Sequence, residues 1–269
     1  PLEDWTQHSF KVITKHFEGN NDITILPTSD VHLGTIECRM KEWFSYCDWV
    51  ASQPNTYLLL LGDLLDNATK TSIGNGFEAV IRPREAKKKM VECLAPIKDK
   101  ILIGTGGNHE GRTERDCDQD LTRDIFSKLD IEDIYTENIG FIKIRIGKKN
   151  GNGMKNPTYT FCVAHGNGNS IYVGSSAVKA ERFGQSIDNI DALFVGHTHK
   201  PLNYPVGKLH VDTHNNQVTI KPWWLVVSSS WLGYASYAAK KLLSPTANMK
   251  QWVTLSGQKK EMIVHGSLM

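Results

Sequence analysis

The chain has 269 residues, of which 40% are apolar, and 31 Lys and Arg against 29 Asp and Glu leave a formal charge of +2. This length fits one compact domain, so we expect a single domain over residues 1–269, and the apolar content excludes a disordered, collagen-like or coiled-coil chain. The longest apolar runs have five residues, far fewer than the roughly 20 that cross a bilayer, so we expect no membrane partner.

In the first half of the chain, short apolar runs alternate with segments of helical period. Met40, Trp43, Cys47 and Val50 recur at helical spacing and predict a helix with one apolar face. The run Thr56–Leu61 is apolar on both faces, which is typical of a central strand covered by helices on each side. The predicted strands are 22–27, 56–61 and 101–104, and the predicted helices are 37–51, 84–94 and 117–129.

The second half of the chain is richer in predicted strands. Residues 147–153 are Gly, Lys and Asn, and they predict a solvated turn between strands at 141–146 and 159–164. A helix is predicted over 177–187. Further strands are predicted at 192–195, 208–211, 217–220, 223–227, 252–255 and 261–264.

Five short polar segments each follow a predicted strand directly. In an open α/β sheet, the loops beyond the carboxyl ends of the strands converge on one crevice, so these segments can share one pocket. A single histidine at a strand end is commonly a hydrogen-bonded structural residue, but five such segments together favour a functional site. The segments are Asp30-Val31-His32, Gly62-Asp63-Leu64-Leu65-Asp66, Gly107-Asn108-His109-Glu110, His165-Gly166 and Gly196-His197-Thr198-His199.

The side chains of these segments form a donor set for divalent metals. Imidazoles and oxygens without thiolate suit manganese, iron or zinc and are too rich in nitrogen for magnesium or calcium. Seven donors exceed the needs of one tetrahedral ion, whereas two ions would use all seven. Two ions about 3.5 to 4 Å apart can activate a hydroxide and hold a phosphoryl group during transfer. The candidate ligands are Asp30, His32, Asp63, Asn108, His165, His197 and His199.

The same segments resemble the calcineurin-like metallophosphoesterases, whose pattern runs D-x-H, G-D-x-x-D, G-N-H-[ED], H and G-H-x-H in this order. The resemblance extends from Asp30 to His199 and is to the small single-domain bacterial and phage type. It implies an α/β fold, a four-layer α-β-β-α sandwich of two mixed β-sheets flanked by helices. It also implies one metal on Asp30, His32 and His199, a second on Asn108, His165 and His197, and Asp63 as the bridge between them.

The resemblance further implies catalytic roles for His109 and Asp66. In the family, the histidine after the asparagine protonates or stabilises the leaving oxygen, and the last acid of G-D-x-x-D orients it. Independently of the family, an uncoordinated His109 could titrate near neutral pH, and a bridging Asp63 carboxylate has two oxygens for two ions. A turn-capping role is the alternative for Asp66. We expect two divalent metal ions as cofactors, with Mn²⁺ as the first choice in vitro and iron or zinc as alternatives.

Three cations near the motifs are candidates for binding the substrate. Arg112 and Arg115 follow the Asn-His pair, and Lys200 follows His199. Arginine offers a bidentate fork to phosphate oxygens and lysine a point charge, although a solvated surface role fits these residues as well. The loops 67–81 and 166–176 leave two motifs directly and are expected to form the rims of the pocket. Aromatic residues of 231–237 beside Lys240 and Lys241 could stack a nucleobase or pack against the second sheet.

The predicted function is hydrolysis of phosphoester bonds with two metals, a hydroxide nucleophile and His109 as general acid. The substrate can be a phosphomonoester, a phosphodiester, a nucleotide or a short nucleic acid. The motifs are similar to those of double-strand-break repair nucleases, but Glu110 replaces their usual Asp and no capping domain follows the last histidine, which disfavours a long-duplex nuclease. A non-catalytic binding scaffold of the same fold is the alternative, although all ligand positions are filled. Another zinc hydrolase is disfavoured because its partner motifs are absent.

The cysteines bear on the cellular compartment. The five cysteines are odd in number and widely spaced, and they form no Cys-x-x-Cys pair. The first residues show no pattern of basic residues followed by an apolar run. We therefore expect free thiols and a cytoplasmic location. The sequence leaves the physiological substrate, the native metals and the oligomeric state open.

Overall fold

Two six-stranded sheets form the centre of the protein in the computed structural model, which describes residues 10–69, 79–148, 156–168, 173–234, 239, 242 and 244–268. The first sheet has the order β1 (Val12–Phe17), β6 (Ile139–Ile146), β7 (Thr158–Ala164), β8 (Ala192–Val195), β10 (Gln217–Val227) and β9 (Leu202–Asp212). The second has the order β12 (Met262–Leu268), β11 (Met249–Leu255), β2 (Ile23–Thr28), β3 (Thr56–Leu61), β4 (Ile101–Thr105) and β5 (Tyr135–Thr136). Both sheets are mixed, because each contains parallel and antiparallel pairs.

Helices cover the outer faces of both sheets. Trp43, Cys47 and Val50 are the buried face of the first helix, as their spacing predicts. The second helix starts with Pro83, whose missing N–H costs nothing in the first turn. Within the described ranges, the α-helices are α1 (Met40–Ser52), α2 (Pro83–Leu94), α3 (Gly111–Cys117), α4 (Leu121–Lys128) and α5 (Val173–Gln185), and 3₁₀ helices span Ala95–Lys100 and Glu132–Ile134.

The layers follow the expected α-β-β-α order. The main core joins both sheets to α1, α2 and α4, and a second cluster lies between the first sheet and α5, where Phe183 packs near Trp223. The leucines of Thr56–Leu61 are fully buried, but helices cover only one face of this strand. Its other face packs against β7 of the first sheet, so the expectation of helices on each side is wrong, because a second sheet buries apolar residues equally well.

Several boundaries differ from the sequence predictions. The predicted helix 117–129 is two helices, because Asp118 has a left-handed φ of 55° and Asp120 caps α4 by accepting the N–H of Arg123. Strands β1 and β5 were not predicted. The predicted strands 217–220 and 223–227 form one continuous strand, β10.

Parts of some predicted segments lie outside the described residues. These are 149–153 of the predicted turn, 70–78 and 169–172 of the two rim loops, and Tyr237, Lys240 and Lys241 of the aromatic and basic cluster. In the described part of that cluster, Trp231 packs against the rings of Trp43 and Tyr46, which lie on α1 and not on the second sheet. Among the described residues, no helix combines the length and the apolar character needed to cross a membrane.

Candidate metal centre

The candidate ligands lie in loops at one edge of the two facing sheets. Strands β2, β3 and β4 are parallel neighbours, and β7 and β8 form a parallel pair in the other sheet, so their carboxyl ends can meet at a common edge. Each loop after these five strands carries candidate ligands. They are Asp30 and His32 after β2, Asp63 after β3, Asn108 after β4, His165 after β7, and His197 and His199 after β8.

Asp30, His32 and His199 form the first donor group. The Asp30 Oδ1 atom lies 3.1 Å from Nε2 of His199 and 3.7 Å from Nε2 of His32. The two ring nitrogens are 3.1 Å apart. Asp30 and His32 are buried, and all three donor atoms lie within 4.8 Å of one another. This spacing suits three ligands around a common cation.

Asn108, His165 and His197 form the second group. The Asn108 Oδ1 atom lies 3.0 Å from Nε2 of His165 and 2.7 Å from Nδ1 of His197. The two ring nitrogens are 3.3 Å apart. This group has two imidazoles and one amide oxygen but no carboxylate of its own, so the negative charge near it comes from Asp63.

Asp63 lies between the two groups. Its Oδ2 atom is 3.2 Å from Nε2 of His165 in the second group and 3.7 Å from Nε2 of His32 in the first. Its Oδ1 atom accepts a 2.8 Å hydrogen bond from the backbone N–H of His109. Oδ2 is therefore the oxygen that faces both groups, while the backbone holds Oδ1.

The backbone is bent sharply at most of the candidate ligands. A left-handed backbone is uncommon in residues other than glycine, and such conformations concentrate at functional sites. Five of the seven candidate ligands have it: Asp30 (φ 54°), His32 (φ 50°), Asp63 (φ 50°), His197 (φ 70°) and His199 (φ 55°).

Two glycines are required because backbone and carboxylates approach each other closely. A Cβ atom at Gly107 would lie 2.1 Å from the Asp63 nitrogen, and one at Gly196 would lie 2.9 Å from Oδ2 of Asp30. That same Asp30 oxygen accepts the N–H of His197 at 2.8 Å. The motif glycines thus let the loops hold the carboxylates through backbone hydrogen bonds.

The outer hydrogen bonds of the imidazoles fit a metal centre. Nδ1 of His165 lies 2.6 Å from the Leu61 carbonyl oxygen, and Nε2 of His197 lies 2.9 Å from the Gly168 carbonyl oxygen. Each of these nitrogens donates its proton outward, which directs the lone pair of the other nitrogen into the donor group. In this tautomer the lone pairs of His165 and His197 face each other at 3.3 Å, and they repel unless a proton or a cation lies between them. The donor set therefore fits a pair of divalent cations.

The carboxylates favour positive charge in this site. Burial would raise the pKa of Asp30, but the charge of His199 holds that pKa well below its usual range. Burial would lower the pKa of His165, but attraction to Asp63 raises it to about 10. The buried carboxylates thus attract protons or cations to the positions where the imidazole nitrogens converge.

His109 lies beside the first group, with both of its ring nitrogens in contact. Nδ1 lies 2.8 Å from the carbonyl oxygen of Asp66 and 3.3 Å from its Oδ1 atom, and Nε2 accepts from an Arg112 nitrogen at 2.9 Å. Burial lowers the pKa of His109, but the hydrogen bond to Asp66 outweighs it and raises that pKa above its ordinary value. Asp66 thus contacts the ring through both its backbone carbonyl and its carboxylate.

The donor atoms of His32, Asp66 and His109 also lie within 4.8 Å of one another. This third group overlaps the first through His32. Because Asp66 and Arg112 engage both nitrogens of His109, this ring has no lone pair free for a metal in the present arrangement.

Two buried polar residues to which sequence reasoning assigned no role support the site from behind. Glu110 accepts hydrogen bonds from the N–H groups of Asp63 at 3.1 Å and Leu65 at 2.7 Å, and burial together with the Asp63 charge raises its pKa to about 7. Asn67 donates to the His109 carbonyl oxygen at 2.8 Å and has a left-handed φ of 45°. The available signal was position, since Glu110 is the last residue of the G-N-H-[ED] segment and Asn67 directly follows the G-D-x-x-D segment.

The remaining candidates for binding substrate lie in different places. Arg112 contacts His109 and donates to the Asp66 carbonyl oxygen at 3.1 Å, so it is part of the site. Arg115 lines a cleft of about 950 Å³ that reaches Asn108 and His165. Lys200 is half-buried directly after His199. Carboxylates outnumber cations in the cleft lining, which includes Glu114, Asp118, Asp120 and Glu137 beside Arg115 and Lys179.

A family model described as calcineurin-like phosphoesterase matches residues 23–201 of the chain. These residues include all seven candidate ligands, His109 and Asp66. A comparison with curated proteins found no match.

Solved structures of low sequence identity are similar over most of the chain. Vacuolar protein sorting 29 from Cryptosporidium parvum is 13% identical with a TM-score of 0.43, covering 93% of this chain and 99% of its own. A metallophosphoesterase from Sphaerobacter thermophilus is 14% identical with a TM-score of 0.39, covering 91% of this chain and 88% of its own. The calcineurin-like phosphoesterase YfkN from Bacillus subtilis is 15% identical with a TM-score of 0.37, covering 93% and 91%.

Proposed function

The chain belongs to the calcineurin-like phosphoesterase family, and from this premise we propose that it hydrolyses phosphoester bonds at a centre of two divalent metal ions. The observation that carries the proposal is the pair of donor groups joined by Oδ2 of Asp63, which lies 3.2 Å from His165 and 3.7 Å from His32. One ion is assigned to Asp30, His32 and His199, the other to Asn108, His165 and His197, and Asp63 bridges them.

The proposed cofactors are two Mn²⁺ ions in vitro, with iron or zinc as alternatives. Two divalent cations in such a site lower the pKa of a water molecule and offset the charge on phosphoryl oxygens during transfer. The chain's own contribution is to hold the ligands by backbone and second-nitrogen hydrogen bonds, such as those from His109 N–H to Asp63 and from His165 to Leu61. These bonds fix the donor atoms before the substrate arrives, so little reorganisation is needed.

His109 is the proposed proton donor to the leaving oxygen. Asp66 holds Nδ1 and thereby orients the ring, which leaves Nε2 as the nitrogen that transfers the proton. Arg112 now donates to Nε2, so it must turn away when that nitrogen carries a proton. The oxygens of a bound phosphate group offer the Arg112 guanidinium another acceptor.

The charge around the site favours a small phosphodiester over a long nucleic acid. The cleft beside Asn108 and His165 is lined by more carboxylates than cations, and a row of carboxylates repels a polyanionic backbone. A short substrate places one phosphate near Arg112 and extends its uncharged part into the cleft. A nucleotide or a short phosphodiester meets this requirement, with Arg115 and Lys200 as further contacts.

We also propose a cytoplasmic location. The five cysteines are free thiols, and Cys38, Cys47 and Cys162 are buried among apolar residues. Thiols that form no disulfide suit a reducing compartment.

A panel of three substrates tests the proposed activity. Protein reconstituted with Mn²⁺ is incubated with p-nitrophenyl phosphate, bis-p-nitrophenyl phosphate and single-stranded DNA. We expect fastest hydrolysis of the small diester, and we expect Asp63→Asn to reduce it at least about 100-fold, a loss in the range found for groups that stabilise the transition state. Asp48→Asn, on the exposed side of α1, is the matched control and keeps the activity.

Three other results would contradict the proposal or part of it. No turnover of any of the three substrates would favour the non-catalytic scaffold. Turnover that persists in Asp63→Asn would show that the assigned centre does not perform the reaction. Preference for DNA over the small diester would overturn the proposed substrate class.

A further inference from the structure

The hairpin formed by β9 and β10 extends beyond the rest of the first sheet. The two strands pair with each other from Leu202 to Asp212 and from Gln217 to Val227, but β10 pairs with β8 only through Trp224–Val227. Within the described part of the chain, residues 217–223 pair with no strand other than β9. We call residues 207–222 the arm.

One face of the arm is apolar along its whole length. Leu209 is paired with Ile220, and Val211 with Val218, so these four side chains lie on one face. Their exposed fractions are 72%, 69%, 63% and 62%, respectively. Gly207 and Pro222 form the next pair on the same face and are also exposed.

The opposite face of the arm is polar. Lys208 is paired with Lys221, and His210 with Thr219. This alternation is the pattern of a strand pair with one face buried. A two-stranded hairpin alone is marginally stable in water, and exposed apolar patches of this kind mark interaction sites.

The geometry points to a second copy of this chain as the partner, and we propose that the arms of two protomers pack face to face around a two-fold axis. In such a contact the same uncharged face serves both protomers, so apolar side chains meet apolar side chains without residues from another protein. Lys208 and Lys221 point away from this contact, so their charges do not oppose it.

The proposed contact is between faces and not between strand edges. Pro205 and Pro222 lack the N–H groups that edge pairing needs, and prolines and lysines on exposed strands oppose such pairing. The four aliphatic side chains of each arm would together bury roughly 600 Å² in a pair of arms. The flanking proline and glycine residues add to this area, but the total stays below the about 1,000 Å² expected of a stable specific interface. A reversible dimer is therefore expected.

The arm leaves the candidate metal centre open. The carboxyl end of β10 lies at the edge of the ligands, since Trp231 donates its N–H to the carbonyl oxygen of Asp30. The tip of the arm, where β10 begins, lies at the opposite end of this strand. Dimerisation through the arm and hydrolysis at the metal centre are thus independent properties.

Sedimentation velocity over about 1 to 100 µM tests the dimer, a range typical of weak reversible interfaces. We expect the wild-type protein to shift from monomer to dimer as its concentration rises. Ile220→Asp places a charge in the apolar face and should raise the dissociation constant at least tenfold. Thr219→Asp, the adjacent change on the polar face, is the matched control and should leave the dimer intact.

Folding controls keep the test decisive. Far-ultraviolet circular dichroism checks that Ile220→Asp is folded, and Leu209→Ser is a milder variant of the same face, with the same expected direction. A wild-type protein that stays monomeric at 100 µM would overturn the proposal. A dimer that persists in folded Ile220→Asp or Leu209→Ser would also overturn it, as would dissociation caused by Thr219→Asp.

Discussion

At the scale of single residues, each carboxylate of the candidate centre divides its two oxygens between two tasks. Oδ2 of Asp30 and Oδ1 of Asp63 accept backbone N–H groups at 2.8 Å, and the other oxygen of each faces the imidazoles. The sequence motifs predicted which residues meet. They did not predict this division, because it depends on the left-handed backbone at these positions and on the close approach of loops that are far apart in the sequence.

The motifs also did not predict how residues outside the ligand set position the ligands and His109. Glu110 and Asn67 hold the loops of Asp63 and His109 through buried hydrogen bonds, and Arg112 contacts the ring of His109. A motif predicts which residue types are present, whereas the hydrogen-bond partner of a buried polar group depends on three-dimensional packing. Arg112 was expected near phosphate, and its contact with His109 places its guanidinium within the site.

His109→Ala tests the residue that is assigned to proton donation. We expect turnover to fall about 10²- to 10⁴-fold on an ester with a poor leaving group, the range of general acid catalysis, with a smaller loss on a p-nitrophenyl ester. Bound manganese should not change. Steady-state kinetics and elemental analysis measure the two quantities.

The matched control for this change is His214→Ala, which removes an exposed histidine in the turn between β9 and β10. It should leave both quantities unchanged. Loss of one metal in His109→Ala would mean that His109 is a ligand in the group with His32 and Asp66.

At the scale of elements, periodicity located the strands and helices that have continuous apolar faces. Thr56–Leu61 and Ala192–Val195 are predicted with the observed bounds. Strand β1 was missed because it lies at the edge of the first sheet and is largely exposed or half-buried, so its apolar pattern is weak, and its partner β6 lies more than 100 residues later. The helix 117–129 was predicted as one because Leu121 and Ile125 continue the spacing of Cys117 across the left-handed Asp118.

Gly104→Ala tests the packing of β4 against α4. A Cβ atom at Gly104 would lie 2.1 Å from Cζ of the buried Phe126. We expect the free energy of unfolding to fall by about 1 to 3 kcal/mol, the usual cost of overpacking a core. Urea denaturation followed by fluorescence measures it.

Gly174→Ala is the matched control, because a Cβ atom there meets nothing within 4 Å. Gly174 lies in the first turn of α5, so alanine should leave stability unchanged or raise it by up to about 1 kcal/mol. Equal losses in both variants would contradict the described packing of β4 on α4.

At the scale of the whole molecule, the fold brings loops from both sheets to one edge and leaves the thiols unpaired. The resemblance implied this arrangement of layers, which composition and periodicity alone would not have given. In the first sheet, β1 pairs with β6 in parallel, and β8 pairs with β10 in parallel. The two strands of each pair are distant in the chain. Such pairings leave no local signal, because strand order depends on contacts of the complete fold.

The five cysteines provide a test of this fold in solution. Burial raises the pKa of Cys38 and of Cys162 to about 12, whereas Cys117 is exposed. A short treatment of native protein with iodoacetamide should therefore modify Cys117 before Cys38 and Cys162, as measured by peptide mass spectrometry. Cys117→Ser should remove this fast reaction, and rapid modification of Cys162 in the native protein would contradict the buried position of β7.

The central claim is that seven side chains from five loops hold two cations. Anomalous diffraction from crystals of manganese-reconstituted protein measures this most directly. We expect two peaks, one at Asp30, His32 and His199 and one at Asn108, His165 and His197, both within bonding distance of Asp63. A single peak, no peak, or a second peak at Asp66 and His109 would contradict the claim.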